Sequence, residues 1–233
     1  MPLLSLSSFV LAASLSTFTY LSFLYRCLKN RINHERQFGV LPTPDSTTID
    51  TIPAEIYSSK HYVLRDRTSQ RVPRQLLPRH HKDRDILTLL LRRNMAAFAH
   101  FPQAYMLWTA ASGTTRGTFH ASYIRSLDYN KGDIVCGIYR VLERSPNKVE
   151  FTMEHKGIEG RVVIGFWDED KDMVFASETA MWTKTKKEDS DKQQETLPWE
   201  NPVRCFFQEF SSWWLLDSGV RYLVDLEGEC DEG

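Results

Sequence analysis

The chain has 233 residues, of which 42% are hydrophobic, and its 29 Lys and Arg residues against 30 Asp and Glu give a formal charge of −1. That apolar content can offset the entropy lost on folding, which excludes disorder for most of the chain. The lack of net positive charge excludes a strongly basic nucleic-acid-binding protein. The four cysteines form no closely spaced pair, so neither a disulfide scaffold nor a CxxC zinc site is predicted.

The first element is an uncharged segment at residues 3–25. A helix of that length, at about 1.5 Å per residue, can cross a bilayer core of about 30 Å. Arg26, Lys29 and Arg31 follow the segment and no Lys or Arg precedes it. This charge pattern favours a retained single-pass anchor, in the endoplasmic reticulum membrane, with the main domain in the cytosol. Eight Ser and Thr residues within the segment leave a cleaved signal peptide as the alternative.

Two polar stretches separate this segment from the main domain. Residues 26–59 contain several prolines and no apolar periodicity, which is typical of a linker. Residues 60–84 form a basic arm, and the basic stretch continues to Arg93 with ten Lys or Arg residues against three Asp. Beside an anchor, such a stretch could contact anionic lipid headgroups, or it could be an irregular solvated arm.

The main domain is predicted at residues 85–226, followed by an acidic tail at 227–233. Apolar residues at helical spacing predict a helix that begins at Asp85. Pro102 separates it from a second short helix at residues 103–111. The domain therefore begins with two helices.

A run of strands follows these helices. Five strands are predicted, at residues 118–127, 133–144, 148–155, 161–167 and 173–183. Asn201 and Pro202 then begin a long helix with a wide aromatic face, in which Gly219 is the one weak helix former. Strands separated from helices in this way are typical of the α+β class. We predict a curved antiparallel sheet of five or six strands that grips the C-terminal helix.

The order of elements resembles the helix-grip fold of the START/SRPBCC superfamily, over residues 60–226. This resemblance implies a cavity for a lipophilic molecule, with acid–base or cyclisation chemistry in some members. A weaker similarity exists to the SnoaL/NTF2-like isomerases and cyclases, which use an acid–base pair inside a cavity. A third alternative is a hotdog thioesterase or dehydratase, because GDIVCGIYRVLER at residues 132–144 is similar to a hotdog strand after a Gly-Asp turn.

Four polar side chains at otherwise apolar sheet positions are the candidate catalytic residues. His155 ends an apolar strand face, where an imidazole could act as a general base. Glu178 lies on an apolar face of the last strand, where burial would raise the pKa of its carboxyl and allow it to donate a proton. The alternative is that this face points outwards, or that Glu178 forms an ion pair with an arginine such as Arg140 across the sheet. His120 and Tyr123 lie near the start of the first predicted strand on opposite faces, so only one of them can point into a given cavity.

Four further side chains are candidate substrate-binding residues. Arg140 interrupts an apolar strand face, and Trp182 lies on the same face of its strand as Glu178. Trp213 and Trp214 of the final helix could stack on a flat substrate, or they could pack in the core.

The sequence contains no GxGxxG, GxxxxGK[ST], HExxH or GxSxG motif, which leaves cofactor-independent chemistry or plain binding. The leading hypothesis is a membrane-anchored protein that binds a hydrophobic small molecule. It would act as a cofactor-free isomerase, cyclase or dehydratase, or as an accessory protein of a biosynthetic pathway. The alternative is a non-enzymatic lipid-binding or membrane-tethering module. No cofactor, metal or nucleic-acid partner is predicted, and the ligand and oligomeric state stay open.

Overall fold

A computed structural model describes residues 6–41, 43–44, 47–57, 61–78, 81–155, 157–183 and 202–231. Its helices are α1 (Leu6–Arg31), α2 (Asp83–Phe98), α3 (Pro102–Ala110), α4 (Gly113–Arg116), α5 (Ala121–Ser126) and α6 (Pro202–Asp231). Its strands are β1 (Asn33–Gly39), β2 (Val63–Pro73), β3 (Ile134–Val135), β4 (Tyr139–Arg144), β5 (Lys148–His155), β6 (Ile158–Glu169) and β7 (Asp172–Thr183).

These seven strands form one antiparallel sheet in the order β1-β2-β7-β6-β5-β4-β3. β3 to β7 follow one another as a meander, whereas β2 pairs with β7 from far along the chain, with Val63 opposite Trp182. β1 adds an edge strand beside β2. Because alternate residues of a strand point to opposite faces, the sheet has an inner face that packs on the helices and an outer face that does not.

The inner face and the helices enclose the main hydrophobic core. α6 packs against α2 and contacts β2 and β7. At Gly219 the two helices approach so closely that an added Cβ would lie 2.4 Å from Asn94 Oδ1. The weak helix former of α6 is therefore the point at which α2 and α6 touch.

The predicted membrane anchor, and with it the single-pass membrane location, is wrong. No helix of the described residues is long and apolar enough to cross a membrane. The helix itself is present as α1, but its many Ser and Thr residues lower its hydropathy. Its C-terminal end is part of the core, where Leu28 is buried and the Tyr25 ring stacks on Trp213 of α6 at 5.3 Å between centroids.

The α+β class and the long C-terminal helix are present, but the sheet has seven strands and not five or six. The strand predicted at residues 118–127 is wrong, because this segment forms a short 3-10 turn and α5. Phe119, Tyr123 and Leu127 recur at every fourth position, a helical spacing that their strand-like composition concealed. β1 and β2, in turn, lie within the residues predicted as linker and basic arm.

The segment predicted as one strand at residues 133–144 is two strands joined by a tight turn. Cys136 and Gly137 have φ values of 48° and 76°, and Val135 pairs with Tyr139 across them. Such left-handed conformations reverse the chain, and glycine adopts them at little cost. The segment therefore does not form the long strand on which the hotdog alternative depends.

Candidate functional site: an arginine-lined groove on the outer face

The outer face of the sheet is divided into two halves. Leu41 and residues 47–57, which belong to the connection between β1 and β2 and which we call the strap, lie across one half. This covered half includes Arg65 of β2 and Glu178 and Trp182 of β7. The open half lies at the other end of the same strands, where Arg67 of β2 and Trp167 of β6 face outwards.

A buried ion pair lies at the centre of the covered half. Arg65 Nε is 2.6 Å from Glu178 Oε1, and the two side chains are 6% and 0% exposed. The strap supplies two further donors, because the Thr48 N–H and hydroxyl lie 3.1 and 2.7 Å from Glu178 Oε2. Burial raises the pKa of Glu178, but the hydrogen bonds from Arg65, Thr48 and Thr47 outweigh burial and hold this pKa below its ordinary value. The Glu178 carboxylate is therefore ionised and holds the strap.

A second buried carboxylate holds the next part of the strap. Glu150 of β5 is 1% exposed and accepts hydrogen bonds from the N–H groups of Asp50 and Thr51, at 2.9 and 3.0 Å. Lys148 Nζ lies 2.9 Å from the same carboxylate. Apolar side chains of the strap complete the contact, and they pack on outward-facing residues of the sheet: Leu41, Ile49, Ile52 and Ile56 against Val63, Val163, Ala180 and Trp182.

An arginine–tryptophan pair also lies under the strap. Arg161 Cζ is 5.3 Å from the centroid of the Trp182 ring, which is 2% exposed. Arg161 Nε donates to the Thr51 carbonyl of the strap at 3.2 Å, and Nη1 donates to the Thr152 hydroxyl at 2.8 Å. The strap thus supplies an acceptor to a guanidinium that lies over a tryptophan ring.

The open half forms a groove of about 320 Å³. It is lined by Arg31, Asn33, Glu35, Arg67, Ser69, Arg71, Trp167, Glu169 and Val174. Three arginines against two glutamates give this lining a formal charge of +1. Its volume lies at the lower end of the range of about 300–1,000 Å³ that is typical of small-molecule sites.

Arg67 is the central cation of the groove. Its Cζ lies 5.4 Å from the centroid of the Trp167 ring. Within the described part of the chain, its guanidinium donates no hydrogen bond and has no carboxylate at ion-pair distance. Its cross-strand neighbours are Glu35, which is exposed, and Glu178, whose carboxylate is bound to Arg65. A planar cation is thus held in place by a ring while its donors stay available.

Two more arginines lie at the rim of the groove. Arg31 Nη1 is 3.6 Å from Asp217 Oδ1, and Arg71 pairs with Glu169. The Arg31 side chain is 49% exposed but its partner Asp217 only 6%, whereas Arg71 and Glu169 are 62% and 40% exposed. An ion pair as exposed as that of Arg71 with Glu169 contributes little stability and exchanges readily. Chemically, the groove can bind a carboxylate or phosphate through guanidinium donors. Among the described residues, no cluster of His, Cys, Asp and Glu is placed to hold a metal ion.

The inner face holds a second polar cluster, between the sheet and α6. His34 Nε2 lies 3.0 Å from Asp66 Oδ1, and Arg36 donates to Asp66 Oδ2 through Nε and Nη2 at 2.8 and 2.5 Å. Glu209 of α6 lies 3.3 Å from Arg36 Nη1 and accepts a hydrogen bond from the Tyr25 hydroxyl at 3.2 Å. Burial raises the pKa of Asp66, but His34 and Arg36 hold it below its ordinary value.

The cleft beside this cluster is small, at about 20 Å³. It is lined by Leu64, Asp66, Ser177, Thr179, Gln208 and Ser212. Such a space holds about one water molecule. At this point, the gap between the sheet and α6 is therefore too small and too polar for the lipophilic molecule predicted there.

The candidate residues from the sequence do not meet in one cavity. Glu178 and Trp182 lie on the outer face under the strap, whereas Trp213 and Trp214 belong to the helical layer on the inner face. Trp213 is 3% exposed and packs on Tyr25, and Trp214 lies under the Arg93 guanidinium at 5.2 Å. The sheet separates the two groups.

The other candidates lie elsewhere. His120 is an exposed residue at the start of α5, and the Tyr123 hydroxyl donates to the Ile134 carbonyl at 3.0 Å. Burial raises the pKa of Tyr123. Arg140 is exposed on β4, and Glu178 pairs with Arg65 instead. His155 ends β5, and its side chain lies outside the described residues. The catalytic and binding roles of these residues stay predictions.

The sequence-based candidates do not include the groove residues. The reason is that β2 lies within the residues predicted as the basic arm, where no strand is predicted. The available signal was the spacing of Arg65, Arg67 and Arg71, which occupy odd positions of an 11-residue strand. Odd positions share one face, so this spacing indicates an arginine-bearing strand face. No comparable spacing indicates Trp167, because its partner Arg67 lies on a strand one hundred residues earlier in the chain.

Comparisons with known proteins leave the family open. No protein-family model matches the chain, and the search of curated proteins found no match. The crystal structure of CalU16 from Micromonospora echinospora is similar at a TM-score of 0.32 and 12% identity, over 85% of this chain and 95% of that chain. Its solution NMR structure is similar at a TM-score of 0.29 and 15% identity, over 80% and 97%. Similarities this low carry no argument about function.

Proposed function

We propose that this protein binds a small anionic molecule in the groove of the open half. The observation that supports this function is the Arg67 guanidinium, which lies over Trp167 and has no protein acceptor in the described chain. Arg31 and Arg71 add two exposed guanidinium groups beside it. An anion held by several guanidinium donors makes charge-assisted hydrogen bonds, which are about twice as strong as neutral ones.

This function uses basic residues of the non-enzymatic lipid-binding or membrane-tethering hypothesis from the sequence, but it proposes a different ligand. Arg67 and Arg71 belong to the predicted basic arm, and their placement on a regular strand gives them a fixed spacing, which a solvated arm would lack. The ligand is a soluble molecule with a carboxylate or phosphate group and not a membrane surface. The groove offers only Trp167 and Val174 as apolar lining, so a long lipid chain has little surface to cover.

Titration with inorganic phosphate at constant ionic strength tests this proposal, with amide chemical shifts as the readout. We expect saturable shifts at Ser69, Arg71 and the Trp167 side-chain N–H. Arg67→Gln should weaken binding at least fivefold. Arg125→Gln, which removes an exposed arginine from α5, is the matched control and should change the affinity less than twofold. Shifts that do not saturate, or an unchanged affinity in Arg67→Gln, would contradict the proposal.

A further inference from the structure

The two halves of the outer face each contain an arginine stacked on a tryptophan. In the covered half this is Arg161 over Trp182, at 5.3 Å, and in the open half it is Arg67 over Trp167, at 5.4 Å. The covered pair is already occupied, because the strap lies over it and its Thr51 carbonyl accepts from Arg161 Nε. The covered pair therefore indicates that an occupant of the open pair would supply a hydrogen-bond acceptor to the arginine.

Two more arginine–tryptophan pairs lie outside the sheet and differ from the open pair. Arg93 stacks on Trp214 and donates to the side chains of Asn94 and Ser218. Arg116 stacks on Trp108 and donates to the carbonyls of Trp108 and Thr109. Across the described chain, Arg67 is thus the stacked arginine whose donors reach no protein acceptor.

The chemistry of such a pair favours a flat ligand. The Arg67 guanidinium carbon lies over the Trp167 ring, and this contact restrains a side chain that would otherwise rotate freely in water. A planar ring laid against the exposed part of Trp167, beside the Arg67 guanidinium, would gain stacking contacts that a saturated ring cannot make. The edge of the guanidinium remains free to donate to an anionic substituent on that ring.

The size and charge of the groove restrict the ligand further. A volume of about 320 Å³ accommodates a compact molecule with one or two rings. Arg31 and Arg71 flank Arg67 in the lining, and their own side chains are 49% and 62% exposed, so both can contact the same anionic substituent. Glu35 and Glu169 in the lining disfavour a ligand with several separate negative charges.

We propose that the groove is specific for an aromatic carboxylate or aryl phosphate, whose ring stacks on the Arg67–Trp167 pair while its anionic group binds to the arginines. This inference rests on the proposed function and names its ligand class. It assigns two separate roles within one site, since Trp167 recognises the ring and the guanidinium groups recognise the charge.

The test compares probes that share a charge and differ in ring character. Phenyl phosphate, cyclohexyl phosphate and inorganic phosphate are titrated into the full chain at constant ionic strength, and amide shifts of the groove residues give the affinities. We expect phenyl phosphate to bind about two- to tenfold more tightly than cyclohexyl phosphate, the range expected from an aromatic stacking contact. Benzoate against cyclohexanecarboxylate repeats the comparison for a carboxylate, and the two pairs together show which anionic group is preferred.

Two variants test whether Trp167 causes the preference for the phenyl probe. Trp167→Leu should reduce the ratio of the phenyl affinity to the cyclohexyl affinity to about one. Trp108→Leu is the matched control, because it breaks an arginine–tryptophan pair on α3 outside the groove, and it should leave the difference intact. Circular dichroism of each variant checks that the fold is retained.

The outcomes separate this inference from the proposed function. Equal affinities for the phenyl and cyclohexyl probes, with phosphate binding still dependent on Arg67, would overturn the aromatic ligand class and leave anion binding in place. A phenyl preference that survives Trp167→Leu would also overturn it. If none of the probes produces saturable shifts, both the ligand class and the proposed function are wrong.

Discussion

Arg65 and Arg67 lie two residues apart on β2 and point to the same face of the sheet, but their surroundings differ. Arg65 is 5% exposed, is paired with Glu178 and lies under the strap. Arg67 is partly exposed, lies over Trp167 and has no protein acceptor in the described chain. The covered half thus satisfies its charges internally, and the open half leaves donors available. A buried charge without a partner is costly, whereas a partly exposed one can be retained for a ligand.

Removing the buried carboxylate should have the largest effect on stability. Glu178→Gln leaves the Arg65 guanidinium buried without a counter-charge, and breaking such a pair typically costs about 3–5 kcal/mol. We expect a loss of that size in the free energy of unfolding, measured by urea denaturation. Glu35→Gln, which removes an exposed carboxylate of the open half, should change it by about 0.5 kcal/mol or less. Similar losses in the two variants would remove the distinction between the halves.

A smaller loss is expected from the strap side of the same contact. Thr48→Ala removes the hydroxyl that donates to Glu178 Oε2 at 2.7 Å. Hydrogen bonds to charged groups contribute about 1.5–3 kcal/mol, and denaturation should show a loss in this range. Ser69→Ala is the counterpart in the groove lining and should be close to neutral. A neutral Thr48→Ala would mean that the strap does not depend on this carboxylate.

The covered half should also respond to pH. Since the folded-state pKa of Glu178 lies below its ordinary value of 4.5, the ion pair stabilises the protein fully above that value. This contribution is lost as the pH falls through the lower, folded-state pKa. Hydrogen exchange at the Thr48 amide, corrected for its intrinsic rate, should therefore be constant above about pH 5 and accelerate at lower pH. In Glu178→Gln this acceleration should be absent, and its persistence would assign the effect to another group.

The smallest effect on stability is expected at the centre of the open half. Arg67→Gln removes a partly exposed side chain that is stacked on Trp167, so the free energy of unfolding should change by about 0.5 kcal/mol or less. Thermal unfolding with and without the substitution checks this. A loss of several kcal/mol would indicate that Arg67 is part of the scaffold, like Arg65.

Local patterns in the sequence predicted the elements whose apolar spacing matches their structure. Alternation predicted β5 with its bounds unchanged at Lys148–His155, and aromatic spacing after Pro202 predicted α6. The patterns led to wrong predictions where the same residue composition is compatible with two different structures. The segment around Tyr123 contains strand-forming residues at helical spacing, and the hydroxyl-rich α1 has the length of a membrane span without sufficient hydropathy.

The candidate site depended on pairings that no local pattern contains. The sequence indicates Glu178 as a polar residue at an otherwise apolar strand position. Its partners Arg65 and Thr48, however, lie more than one hundred residues earlier. Without these partners, burial alone predicts a raised pKa for Glu178, whereas the contacts in the structure lower this pKa. Gly219 is a similar case, since its weak helix propensity was visible but its contact with Asn94 of α2 was not.

The pairing of β2 with β7 has a consequence for folding kinetics. The meander from β3 to β7 forms between strands that are neighbours in sequence. Val63, in contrast, pairs with Trp182 only after a very long loop has closed. Closing long loops is slow, so we expect the hairpins to form early and β2 to add late. The groove lies on the seam between these two parts, with Arg67 on one side and Trp167 on the other. A ligand that binds there would recognise only chains that have completed the last folding step.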